Sequence, residues 1–229
     1  MVENYSMTRS TRIFIPSGGV ASAMTSVGTQ RWVLFAKWSA TAFIIAGIGR
    51  LLNFALANIG EVTAMTSPEW SRDLTLLIAF TAGFVGLYGL HPRVVDQAPR
   101  LSKTGAVFAA IAGAAIVLSI VGKYLHGGAE PPGPLKVLPL LYIFGSPLAF
   151  LAFGVASWRT STPFRTVGLL LLVAFAAFLV LVAGILSQVT VLLQLSALLF
   201  AAAMLVLGYV LHTSDTPYET VVSGPESAP

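Results

Sequence analysis

Apolar residues in this chain come in long unbroken runs, not at alternating positions or on one helical face. The first run covers residues 35–58, the second 74–91, the third 104–125 and the fourth 137–158. Residues 166–212 then continue for 47 positions without a charged side chain. A single straight helix of that length would measure about 70 Å, over twice the thickness of a bilayer's hydrocarbon core. The run must therefore fold back. Ser187-Gln188 is the natural turn, dividing it into spans at 166–186 and 189–212. Transmembrane β-strands alternate apolar and polar positions over about ten residues, and these runs do not. Helices surrounded by lipid and by one another are apolar all round, which matches the weak amphipathicity here. The pattern predicts an all-α integral membrane protein, a bundle of about six transmembrane helices. A count of five or seven requires a different reading of the first segment or of the last hairpin.

The polar flanks define the domain organisation. Residues 1–31 carry Arg9, Arg12, Gly18-Gly19 and scattered Ser and Thr, and read as a disordered cytoplasmic tail. No apolar stretch of about 7–15 residues follows the arginines, so the segment does not resemble a signal peptide. Met7 and Met24 are alternative starts. Residues 32–213 form the six-helix domain, with Trp32, Lys37 and Trp38 as interfacial anchors of the first span. Residues 214–229 form a second disordered cytoplasmic tail, acidic and Pro-containing. With the N-terminus inside, the inner segments hold nine Lys or Arg residues: Arg9, Arg12, Arg31, Lys37, Arg93, Arg100, Lys103, Arg159 and Arg165. The outer segments hold three, Arg72, Lys123 and Lys136. That bias predicts cytoplasmic N- and C-termini in a multi-pass cell-membrane protein.

Composition strengthens the membrane reading and removes several chemistries. Hydrophobic residues make up 56% of the chain and charged residues 10%, against about 45–50% and about 25% in soluble domains. The chain has no cysteine, which excludes disulfides, thiolate metal ligands and thiol nucleophiles. The net charge of +4 is not gathered into a basic, aromatic-studded patch, so no nucleic-acid partner is expected. All nine acids fall in loops, tails or helix edges, which disfavours a proton relay or sodium site of the acidic kind. No HExxH, GxSxG or Walker pattern occurs. Neither do the serine, paired-glutamate or aspartate-cluster motifs of intramembrane proteases and phosphatidyltransferases. No enzyme activity and no cofactor are expected.

Small residues and a proline mark packing. Gly105, Ala109 and Gly113 lie four apart on one face of the third span and allow a neighbouring backbone close. Pro147 in the fourth span frees a carbonyl and predicts a kink. Helices two, four and six end alike, at Gly86…His91-Pro92, Gly154…Trp158…Pro163 and Gly208…His212…Pro217. Three repeated hairpins would give this pattern. So would the shared grammar of a helix end at a membrane interface.

The candidate sites are few. His91 and His212 close helices at one predicted membrane depth, three residues after Tyr88 and Tyr209. They are candidate metal or haem ligands, or interfacial residues with an apolar body and a wet tip. Ser39, Asn53, Ser146, Gln194 and Ser196 are polar residues inside spans, suited to hydrogen bonds between helices. Arg50 is the one charged residue deep inside a span, eight residues or about 12 Å before Asn58. A central arginine costs about 2.5–3.5 kcal/mol on insertion scales, so something should compensate it. Three readings follow. The first helix ends early, near Arg50; or Arg50 makes a structural ion pair with the acids of the first outer loop, Asp73 foremost and then Glu69 and Glu61; or it forms a substrate or anion site. Asn53, three residues on along the same face, would share the load.

Two functions fit. The first is a non-catalytic membrane component acting through helix packing with a membrane-protein partner or a second copy of itself. The second is a small transporter or channel with a site near Arg50. A polar cavity reaching mid-membrane would favour transport. A solid core with a face of small residues would favour a partner.

Overall fold

The computed structural model describes residues 38–58, 69–127, 133–160 and 162–214. The expected tail at 1–31, that at 214–229 apart from Ser214, which ends α6, the anchors Trp32 and Lys37, and Glu61 lie outside the described residues. Within them are six long helices: α1 (Trp38–Asn58), α2 (Glu69–Val94), α3 (Pro99–Leu125), α4 (Val137–Trp158), α5 (Thr162–Ser187) and α6 (Thr190–Ser214). A single 3₁₀ turn, Gly133–Lys136, precedes α4. All six helices are long and apolar enough to cross a membrane. The described residues are all-helical, with the hallmarks of a multi-pass membrane protein. Helices α2 and α3 begin about a turn earlier than the apolar runs predict. Hydropathy stops at the first charges, whereas backbone hydrogen bonding continues into the interface, where water solvates Glu69, Arg72, Arg100 and Lys103. Helix α1 does not stop at Arg50 but runs on to Asn58, which removes the early-ending reading.

The connections are tight where they are described. Val95 and Ala98 donate their backbone N–H groups to the carbonyls of His91 and Val94, and Pro99 occupies the first turn of α3, where a missing N–H costs nothing. Between α5 and α6, Gln188 adopts φ 56° and the N–H of Val189 reaches back to the Gly184 carbonyl at 3.2 Å. This left-handed residue with a six-to-one hydrogen bond is a Schellman ending. It explains how the 47-residue apolar run reverses with so little loop.

From α2 to α6, each helix packs against the next in the chain. Helix α1 closes the ring: its Phe43 and Gly49 meet Gly86 and Ala79 of α2, and its Ala40 and Gly47 meet Gly208 and Leu205 of α6. The ring encloses an aromatic plug. Phe80 of α2, Tyr142 and Phe150 of α4, Phe178 of α5 and Phe200 of α6 stack with centroids 4.9–6.5 Å apart, within the favourable range for ring pairs. Large apolar side chains also cover the outside, with Leu186 80% and Leu125 79% exposed. That outer surface suits lipid, not water. The Gly105/Ala109/Gly113 stripe faces inward, Gly105 against Phe153 and Gly113 against Phe84, so it is used within the bundle. Helix α4 runs unbroken past Pro147, which is buried.

The two ends of the bundle are closed differently. At the end carrying the α2–α3 turn, a Cβ on Gly168 would lie 2.6 Å from the Trp158 nitrogen and 2.8 Å from the Gly154 oxygen. On Gly208 it would lie 2.8 Å from the Ala40 oxygen. Backbone meets backbone there, which only glycine permits. The glycines of the three similar helix ends all make room for a neighbour, Gly86 for the Phe43 ring of α1, Gly154 for Leu172 of α5 and Gly208 for the α1 backbone.

Candidate functional site

The end where α1 finishes and α2 begins is built from polar side chains. Nearest the helix ends, Lys123 in the last turn of α3 bonds Glu69 at 2.5 Å and Asp73 at 2.9 Å. Tyr124 donates its hydroxyl to the same Asp73 oxygen at 2.9 Å. Antiparallel neighbours bring the start of α2 and the finish of α3 to one level, so acids and lysine meet at a boundary where water still reaches them. On the α1 side, Gln194 of α6 donates to Asn58 Oδ1 at 2.9 Å. Asn58 in turn donates to the Phe54 carbonyl at 2.7 Å.

Arg50 lies deeper. Its Nη1 donates to Asn53 Oδ1 at 3.2 Å. The Asn53 amide passes the connection to α2, donating to the Arg72 carbonyl at 2.8 Å and to Thr75 Oγ1 at 3.3 Å. The guanidinium carbon sits 5.5 Å from the centre of the Phe80 ring, a cation–π contact that holds the charge over the aromatic plug. Beside it is a cavity of about 10 Å³ lined by Arg50, Phe80, Phe178, Leu181, Ser196 and Phe200 together with Ala177. Arg50 Nε is buried with no hydrogen-bond partner. Ser157 Oγ, near the opposite end, is the other such atom among the described residues.

Of the three residues expected to act together, Arg50 and Asn53 are joined, and Asp73 is not with them. Its carboxylate is engaged by Lys123 and Tyr124. Sequence separation hid this partner: Lys123 is 50 residues from Asp73, and only the order of helices around the ring brings them together. The signal was present in the topology, since α2 must start at the level where α3 ends. The other polar residues divide. Asn53 and Gln194 bridge helices, while Ser146 and Ser196 donate to their own helix, to Tyr142 and Leu193 carbonyls at 2.8 and 2.7 Å, as buried helical serines commonly do.

The two candidate ligands His91 and His212 occupy the other end. His91 Nδ1 pairs with Ser102 Oγ of α3 at 2.6 Å, and Tyr88 donates to the Ala106 carbonyl at 3.0 Å. Both contacts pin α2 to α3. His212 is exposed. Among the described residues no group of three or more His, Asp or Glu side chains gathers to hold a metal.

A wide groove runs along the outside of α1 and α2, with a volume of about 610 Å³. Thr41, Ala42, Thr81 and Ala82 line it as small side chains, and the half-exposed Ile45 and Ile78 stand beside them. It is apolar and opens sideways, toward the surface that suits lipid. The chain matches no protein-family model, no curated protein and no solved structure.

Proposed function

We propose that the protein is a non-catalytic membrane component that binds one apolar helix of a membrane partner in the α1–α2 groove. The carrying observation is the contrast between a filled centre and an open flank. At the depth of Arg50 the interior is occupied by five stacked rings, and the cavity there has room for about one water molecule. The groove is some sixty times larger by volume. Its alanines and threonines let a second backbone approach closely, the arrangement that drives helix association in lipid, where no hydrophobic force acts between helices. The lack of catalytic motifs supports the same reading. The Lys and Arg bias supports a cell-membrane orientation with both termini cytoplasmic.

A photoreactive amino acid at Thr81 tests the proposal in intact cells. The expected result is one protein adduct of defined mass, lost when Ala82→Phe fills the groove and absent when the probe sits at Leu179 on the far side, which is exposed. Adducts of lipid mass only, or a protein adduct indifferent to Ala82→Phe, would overturn it. A reporter active only in the cytoplasm, fused after Pro229, should be active.

A further inference from the structure

We propose that Arg50 and the cavity beside it form a binding site for one monovalent, single-atom anion of the halide class. The case starts from charge. Arg50 is a permanent cation inside a span, and such a charge in a low-dielectric interior needs a counter-charge or a route to water. Its side chain leans toward the N-terminus of α1, away from the nearer helix end. Among the described residues the carboxylates nearest in the fold are Glu69 and Asp73, and both are bonded to Lys123. Together with Arg72, those residues are two acids and two bases, with no negative charge to spare. Asn53 provides Arg50 with a neutral oxygen only, and Phe80 a ring face.

The donor and the space belong to one residue. Nε is the buried guanidinium nitrogen with no acceptor, and Arg50 lines the cavity. No acid lines it. The Ser196 hydroxyl does, and a rotation away from the Leu193 carbonyl turns its O–H to a guest. Size restricts the guest. At about 10 Å³ the cavity holds about one water; chloride is somewhat larger, so the lining has to give slightly for it and much further for a carboxylate or phosphate. A halide is one atom, it accepts from the guanidinium, and it neutralises the charge as water cannot. The cavity and the outside groove are separate places, so this site stands whatever binds the groove.

The test uses purified full-length protein in nanodiscs with gluconate as the only anion, exchanged stepwise for chloride or bromide at constant ionic strength. Thermal unfolding is followed by tryptophan fluorescence. The expected result is a saturable rise in midpoint, roughly 3–6 °C at about ten times Kd, produced by chloride and bromide and not by sulfate. Arg50→Gln should abolish the response. Ala177→Leu should abolish it as well while retaining the guanidinium, so the test survives if Arg50→Gln fails to fold. Line broadening of chloride by NMR, reversed by bromide, reads binding on the unaltered protein. A wild type indifferent to halide would overturn the proposal, showing that water or a carboxylate of this chain completes Arg50. An equal rise in wild type and Ala177→Leu would overturn it too, as a bulk salt effect.

Discussion

The two ends of this bundle solve one problem with a different balance of means. At the α2–α3 end the helices are drawn together until backbone touches backbone, at Gly168 against Trp158 and Gly208 against Ala40. At the α1–α2 end, where Gly184 also comes close to the Leu193 nitrogen, ion pairs and amides add bonds across the gaps: Lys123 with Glu69 and Asp73, Asn53 with Thr75, Gln194 with Asn58. Glycine closure leaves one buried hydroxyl without a partner, Ser157 Oγ. Polar closure leaves a buried cation's donor, since side chains of fixed length cannot satisfy every atom at once, and Arg50 Nε with the small cavity that Arg50 lines is the remainder. Chemistry, where this molecule has any, belongs at the second end.

Breaking the glycine end should have the largest effect. Gly168→Val forces a side chain into the Trp158 and Gly154 backbone, which cannot step aside, and should cost about 3 kcal/mol or more. The expected outcome is loss of the monodisperse peak on size exclusion in detergent. Asn53→Ala strikes the polar end where it is deepest. It removes the bond to Arg50 and two bonds to α2, and an unfolding titration should register a loss of about 1–3 kcal/mol.

Lys123→Met acts closer to water, where ion pairs are weaker, and should cost about 1 kcal/mol. The sharper reading comes from double-mutant cycles. Lys123→Met and Asp73→Asn should couple by about 0.5–1 kcal/mol, whereas Arg50→Leu and Asp73→Asn should add within about 0.5 kcal/mol. Coupling of Arg50 to Asp73 in place of Lys123 would erase the distinction between a paired and an unpaired cation. The smallest change should be a gain. Gln188→Gly relieves the left-handed conformation at φ 56° and should raise the unfolding midpoint by an amount equivalent to about 0.5–1 kcal/mol.

Several of these features were legible in the sequence, and the reason is physical in each case. The spans follow from hydropathy because lipid selects residue by residue along the chain. The turn at Ser187-Gln188 follows from length alone. Asn53 was legible as the partner of Arg50 because three residues along a helix is a local, fixed geometry. The partner of Asp73 was not, because Lys123 becomes its neighbour only once α2 and α3 are aligned. The aromatic plug draws on residues from Phe80 to Phe200, and the groove on faces of α1 and α2. Neither has a sequence spacing to find. Gly86, Gly154 and Gly208 were visible as a pattern, while their shared task, making room for α1 or α5, emerged from the packing.

On this reading the protein binds a partner at its flank and does not move solutes through its centre. Anion flux across a reconstituted membrane is the direct test, because an anion held at Arg50 would still have to pass the aromatic plug and the glycine-closed end to cross. Liposomes loaded with chloride and containing the purified protein should leak at the rate of protein-free liposomes, even where halide raises the unfolding midpoint. A protein-dependent efflux that disappears in Arg50→Gln would contradict the account and make the molecule a transporter or channel.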